Sequence, residues 1–343
     1  MKVLFVQPDC RDYRIPLFKN IADKFKTSLL HFGKRKFLED ELISETELRL
    51  RTVNSFKFIE SLGKECNKYD CIITVFDPHW LNSFFLPFLT HTPVIFWGHG
   101  VGRSKIISYL RKITGKRARA LITYYEEGKQ NLVDIGLNPQ KIFVAPNTIH
   151  VPNSQNYAQE EKNSILYVGR LQKRKDLDDL VKSFAQVHHR LPNNTILKIL
   201  GDGDIVYKEL ASLGSKLGIS EKIKFIKGTT EHDVLAQHFK QAYCYASPGH
   251  VGLGVLHSFA YGVPVITYKD RDHAPEVSNI KKNQNGLLVD GKEKQFGESL
   301  EWLINSGAYK KCGDNAYHHY SNNRTIENMV KGFKEAIEYC VER

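Results

Sequence analysis

Short apolar runs separated by polar, helix-period segments recur along most of this chain. The first is Val3 to Val6, followed by a polar loop from Gln7 to Arg14 and a helical stretch around Leu17 to Phe25. Further runs at Ser28 to Phe32, Cys71 to Phe76, Val94 to Trp97, Ala120 to Tyr124 and Ile142 to Ala145 read as buried strands. Glu126 to Ile135 reads as a helix that stops at Gly136, with Pro139 just beyond. Polar and charged residues dominate from Gly33 to Arg51, where no strand is expected. Continuous apolar strands alternating with helices predict a parallel sheet covered on both faces.

The pattern breaks between Thr148 and Asn163, which is polar, aperiodic and contains Pro152, and so reads as a linker. It then restarts. Strands are predicted at Ile165 to Val168, Ile196 to Leu200, Ile223 to Ile226, Cys244 to Ala246, Val265 to Thr267 and Leu287 to Val289, with a helix at Asp176 to His189. From Gly291 the chain is mostly helical, and Met329, Phe333 and Ile337 share one face. Two successive α/β domains follow, with the default ligand site beyond the carboxyl ends of their strands, in the cleft between them.

Composition sharpens this only a little. The 41% hydrophobic share of the 343 residues suffices for two cores. Six scattered cysteines without a C-x-x-C pair, and no apolar leader, predict free thiols and a reducing, cytoplasmic setting. The net charge of +11 is concentrated between Gly102 and Ala120, where Arg103, Lys105, Arg111, Lys112, Lys116, Arg117 and Arg119 flank Ile106, Leu110 and Ile113 at helical spacing. Such a helix fits an anionic membrane face, and equally fits a surface helix packing its stripe on its own domain.

Candidate chemistry gathers at the strand ends of the second half. The strand at Ile165 to Val168 delivers Gly169 and Arg170, and Lys175 follows before a helix; a guanidinium and an ammonium there suit a diphosphate. Backbone at Ile226, Lys227 and Gly228 ends another strand and suits a flat base. Ser247 to Thr267, SPGHVGLGVLHSFAYGVPVIT, places Gly249, Gly252 and Gly254 ahead of a helical segment, Val255 to Tyr261, the usual geometry for approach to phosphate. No G-x-G-x-x-G opens either half, which argues against a dinucleotide oxidoreductase. The cations cluster on one amphipathic segment, whereas nucleic-acid binding calls for a continuous basic groove interleaved with aromatics.

YVGRLQKRKDLDDLVKSF, LKILGDGD, KIKFIKG, SPGHVGLGVLHSFAYGVPVIT and NGLLV together resemble, in order and spacing, the family-4, GT-B glycosyltransferases, the glycosyl transferases group 1. KIFVAPNTI resembles the end of that family's first domain, and NRTIENMVKGF its C-terminal helix. The resemblance implies a GT-B α/β fold: two Rossmann-like domains, 1–150 on the acceptor side and 151–320 binding a nucleotide sugar. A terminal helix, 321–343, would pack back toward the first. It implies retaining transfer from a nucleotide-diphosphate sugar of the UDP or GDP type, with no metal ion and no other cofactor. The acceptor would be a glycan or lipid-linked molecule, in surface polysaccharide or lipopolysaccharide synthesis at the cytoplasmic membrane face.

On that resemblance Arg170 and Lys175 would hold the donor diphosphate together with Gly169. The amides of Val251, Gly252 and Leu253 would face the donor sugar or phosphate, with Ile226, Lys227 and Gly228 on the base. His99, in FWGHG, would lie near the reacting sugar, and Tyr13, Arg14 and the segment Arg103 to Arg119 are acceptor-side candidates. The chain departs from the family where two glutamates eight positions apart are usual: the positions fall on Gly249 and His257. His257 would then meet the ribose, and His250 or Glu276 would make good the first carboxylate. A non-catalytic GT-B relative that only binds a partner is the alternative.

Overall fold

The computed structural model describes residues 1–37, 40, 42–60, 62–100 and 104–342. The described chain forms two compact units, Met1–His150 with Thr325–Arg343, and Val151–Arg324.

In the first unit the strands are β1 (Lys2–Asp9), β2 (Lys26–Phe32), β3 (Ile43–Glu47), β4 (Leu50–Val53), β5 (Phe56–Ile59), β6 (Cys71–Val75), β7 (Val94–Gly98), β8 (Ala120–Thr123) and β9 (Ile142–Val144). Seven of them make a parallel sheet in the order β3-β2-β1-β6-β7-β8-β9, while β4 and β5 pair antiparallel on their own. The second unit has β10 (Ser164–Val168), β11 (Ile196–Leu200), β12 (Ile223–Ile226), β13 (Ala242–Ala246), β14 (Val265–Tyr268) and β15 (Gly286–Val289), parallel in the order β12-β11-β10-β13-β14-β15. The chain reverses its direction of travel across the sheet between β1 and β6, and again between β10 and β13. In parallel sheets a crevice opens at such reversals, because the flanking connections leave to opposite faces.

Three parts of the fold differ from the sequence expectation. Strand β3 lies inside the polar stretch, fixed by the buried carboxylate of Glu45. That carboxylate accepts the amides of Lys36 and Phe37 at 2.8 and 2.9 Å and meets the His31 ring at 2.5 Å. Burial alone would raise the Glu45 pKa, yet these bonds hold it below its ordinary value. Helices at Asp204–Lys216 and His232–Lys240 fill crossovers with little apolar periodicity. The expected linker is pinned to the second unit: Tyr157 is buried and its amide donates to Tyr261 O at 3.1 Å, while Lys162 Nζ donates to Tyr157 O at 2.7 Å.

The last helix, Ile326–Val341, belongs to the first unit. Its Thr325 cap and Asn328 exchange bonds in a capping box. Its apolar face buries Met329, Phe333 and Ile337 in the core with Phe5, Phe18 and Trp97; the rings of Trp97 and Phe333 meet edge-on at 4.8 Å. Gly332 makes the close approach possible, since a Cβ there would collide with Val144 O and lie 2.8 Å from Ala145 Cα. Gly332→Ala is therefore expected to destabilise the first unit by about 1–3 kcal/mol. Urea unfolding followed by tryptophan fluorescence checks this, because Trp80 and Trp97 are both buried in that unit.

Candidate functional site

In the second unit the reversal between β10 and β13 sets two loops side by side. One leaves β10 as Gly169 and Arg170 and turns through Lys173–Lys175 to Asp176, a left-handed residue at φ 48°. The other leaves β13 as Ser247 to Leu253 and enters the helix Gly254–Ala260. Backbone bonds clamp them: Gly249 N–H donates to Lys175 O at 3.0 Å and His250 N–H to Arg174 O at 2.8 Å. The clamp requires glycine at 249, since a Cβ would strike the Arg174 carbonyl oxygen and lie 2.8 Å from Lys175 Cα. The position expected to carry the family's first glutamate is thus one where this backbone has no room for any side chain.

Lys175 crosses the clamp, its Nζ donating to His250 O at 2.6 Å. Burial, with Arg174 and Arg170 nearby, lowers its pKa from 10.5 to about 8. Arg170 is exposed and makes no ion pair among the described residues. Lys175 thus lies against the glycine loop, and Arg170, just past the carboxyl end of β10, is near enough to help lower its pKa. Glu276, buried in the 3-10 turn Pro275–Asn279, comes to the same loop: its Oε2 lies 4.0 Å from where a Cβ on Gly252 would be. Gly252 itself has no closer neighbour than 3.7 Å at that point, so its surface is open to a ligand.

Two assignments need correction. The Val251 amide does not face outward: it donates to His273 Nδ1 at 3.2 Å, and Val251 is fully buried. His273 Nε2 meets the Tyr268 carbonyl at 2.7 Å, so that nitrogen carries the proton and Nδ1 accepts. His273 is a support that the sequence did not single out. His250 is fixed likewise, Nδ1 donating to Asp272 O at 2.6 Å.

The remaining second-unit candidates lie close by in the fold. Ile226 and Lys227 line a cavity of about 290 Å³ with Gly201, Asp202, Tyr207 and Phe225. Gly228 N–H donates to Asp202 Oδ1 at 3.1 Å, so this amide is engaged and is no longer offered to a base. His257 sits on the helix Gly254–Ala260 among His232, Phe239 and Tyr261. Burial, with His232 nearby, pushes its pKa down to about 3, and its Nε2 has no hydrogen-bond partner among the described residues.

In the first unit the reversal between β1 and β6 opens a cavity of about 410 Å³. His99, Tyr13 and Arg14 are on its wall, as are Arg111 of the basic segment and Gln7 and Trp97, which the sequence did not single out. The Arg14 guanidinium stacks 4.4 Å over Trp97, and its Nη2 donates to Tyr124 Oη at 3.1 Å.

The basic segment divides its residues differently from the expected stripe. Gly102 and Arg103 lie outside the described residues. The helix runs Lys105–Arg117; Leu110 packs inward while Ile106, Tyr109 and Ile113 are exposed. Arg111 also turns inward, donating to Phe76 O at 3.3 Å, and Arg117 and Arg119 donate to the carbonyls of Pro87 and Cys340. The short helix Leu86–Leu89, tied to this one through Arg117, adds the exposed Phe88 and Leu89. No helix of the described residues is long and apolar enough to cross a membrane. All six cysteines are free and buried.

Residues 153–319 match the family described as "Glycosyl transferases group 1". The chain is 24% identical over 233 residues to the lipopolysaccharide glucosyltransferase WaaG of Escherichia coli, covering 66% of this chain and 61% of that protein. The chain spans only 37–61% of the length of the first curated relatives it matches. Among solved structures, a glycosyltransferase from Rickettsia africae superposes with a TM-score of 0.78 at 17% identity, over 100% of this chain and 99% of the other. The Anabaena protein HepE, solved in complex with UDP, gives 0.72 at 15% identity, over 98% and 100%. Residues 153–319 thus match the glycosyl transferases group 1 family, and the chain shares the GT-B fold of these solved glycosyltransferases.

Proposed function

We propose that this protein transfers a sugar, with retention and without a metal ion, from a nucleotide-diphosphate donor of the UDP or GDP type to a glycan or lipid-linked acceptor. The observation that carries the reading is the clamp: Arg170 and Lys175 stand beside the glycine loop at the strand reversal of the second sheet. As the glycosidic bond breaks, negative charge grows on the departing diphosphate. Cations held in place before the reaction stabilise that charge without reorganising. Gly169 and the open surface of Gly252, with Leu253, admit the phosphates and sugar, and Glu276 and the ring of His250 meet hydroxyls of the donor sugar. The cavity at Ile226 and Lys227 takes the base, with His257 on the ribose. His99 is the first-unit residue assigned a part in the transfer. WaaG's role in lipopolysaccharide synthesis supports a similar setting, surface glycan or lipopolysaccharide assembly.

UDP or GDP is expected to raise the thermal stability of the protein, by about 2.7 kcal/mol at a hundredfold excess over Kd. Arg170→Ala should abolish the effect, and a chain that no nucleoside diphosphate stabilises would not be a transferase of this kind. Lys175 adds a pH signature. Its free-state pKa of about 8 lies below the ordinary 10.5, so the ammonium is lost as pH rises through 8. Nucleotide affinity should therefore fall between about pH 7 and 9 in wild type. Lys175→Arg, which stays charged, should flatten that descent.

Glu276→Gln keeps the shape of the side chain and removes its charge. Donor turnover, measured as transfer or as slow hydrolysis, is expected to drop by about a hundredfold. Near-normal turnover would take Glu276 out of the site.

The exposed Ile106, Tyr109, Ile113, Phe88 and Leu89, beside Lys105 and Lys116, form the surface we assign to an anionic membrane face. Co-sedimentation with phosphatidylglycerol vesicles at low salt should capture the protein, and Ile106→Ser with Tyr109→Ser should release it. A protein that stays in the supernatant at low salt would end this assignment.

A further inference from the structure

The first-unit cavity has a wall of hydrogen-bond donors that the fold leaves without partners. Arg14 Nη1, Arg111 Nε, Gln7 Nε2 and Trp97 Nε1 are all buried and unbonded among the described residues. All four residues line the same cavity. Each comes from a different element: Gln7 from β1, Arg14 from the turn Asp12–Arg14, Trp97 from β7 and Arg111 from the basic helix. Gln7 is 7% exposed and Trp97 3%, so neither side chain escapes to bulk water. Native structures satisfy nearly all such groups, and convergence of four in one place asks for an acceptor that arrives from outside.

The charges on the same wall point to the kind of acceptor. Arg14 is held by aromatic rings, 4.4 Å over Trp97, 5.1 Å over Tyr13 and 5.4 Å over Tyr124, and no carboxylate pairs with it among the described residues. Among the described residues Arg111 hydrogen-bonds a backbone carbonyl, Phe76 O, and no carboxylate. The two lining carboxylates are already engaged: Asp9 pairs with Arg11 Nε at 2.9 Å, and Asp77 accepts from the His79 amide and ring at 3.0 and 2.8 Å. Stacking leaves a guanidinium's edge free, and a fork of N–H groups on that edge matches an oxyanion. Asp77 lies close enough to Arg111 to act on its charge, whereas the Arg14 guanidinium meets only tyrosine and tryptophan rings among the described residues, and a neutral sugar would offer Arg14 hydroxyls but no countercharge.

We propose that this cavity binds an oxyanion, and, resting on the transferase reading above, that the oxyanion is part of the acceptor: a phosphate ester or a carboxylate on the sugar or lipid headgroup that receives the transferred residue. Arg14 and Arg111 supply the charge, and Gln7 and Trp97 orient the group. The acceptor is thereby selected by an anionic handle held within the first unit.

Isothermal titration of the full chain at constant ionic strength, with inorganic phosphate and separately with glucuronate, tests the site. Binding of either anion that weakens about tenfold or more in both Arg14→Gln and Arg111→Gln, but not in Arg170→Ala, is the expected result. Whichever anion binds identifies the handle as phosphate or carboxylate. Arg14→Lys, which keeps the cation but not the fork, should fall between wild type and Arg14→Gln. If an arginine variant loses its circular-dichroism spectrum, Gln7→Ala removes one donor without touching the aromatic stack and carries the comparison. Binding of neither anion, or binding indifferent to these variants, overturns the proposal. Stabilisation by UDP or GDP, measured on the same variants, reports on the donor reading separately: it should survive Arg14→Gln and be lost in Arg170→Ala.

Discussion

The hydrogen bonds from Gly249 and His250 to the carbonyls of Lys175 and Arg174 join the two loops that follow β10 and β13. Much else in the second unit's site rests on them. They fix the height of Lys175, whose ammonium then reaches back to His250 O. They also hold the glycine loop against the turn, so that Gly252 stays open and Glu276 meets it from the other side. A side chain at 249 would push the loop off the turn and carry both cations with it.

The apolar runs were enough to read the two sheets. A parallel strand covered on both faces must be apolar along its whole length, and β1, β6, β7, β10, β11 and β13 announce themselves in that way. What stayed hidden depends on contacts distant in sequence. The strand β3 is polar and mostly exposed; it exists because Glu45, an unremarkable acidic residue in the sequence, gathers the amides of Lys36 and Phe37 and the His31 ring. The supposed linker looks unstructured because its anchors, Tyr261 and Lys240, lie about a hundred residues away.

The site was legible where residue type and strand position coincide. Arg170 and Lys175 come soon after an apolar strand, so their place beyond its carboxyl end was implied by the order of elements. Side-chain direction and backbone partnership were not. Nothing in GHVGLG says that the Val251 amide turns in toward His273 while Gly252 stays open. Helical spacing grouped Ile106, Leu110 and Ile113 on one stripe. The domain beneath decided otherwise, taking Leu110 and Arg111 inward and leaving Ile106 and Ile113 in solvent. Gln7 and Trp97 carried no signal, since a buried donor becomes conspicuous only when its missing partner can be seen.

The departure from the family's glutamate pair follows from the same clamp. With the loop held this close to residues 174 and 175, the backbone excludes any side chain at 249, so a carboxylate serving the glycine loop has to come from another segment. Glu276 does so from the 3-10 turn after β14, brought there by the Ala274 amide bonding to Val251 O at 3.0 Å and by His273 bonding the Val251 amide. The segment 273–276 is therefore anchored to the loop through both the amide and the carbonyl of Val251. At the second glutamate position the solution is different in kind: His257 is neutral, enclosed by aromatic rings and able to offer hydrogen bonds but no charge. Under the proposed function, a ribose, whose hydroxyls need partners and not countercharge, would tolerate that exchange, whereas a departing diphosphate would not tolerate the loss of Arg170 or Lys175.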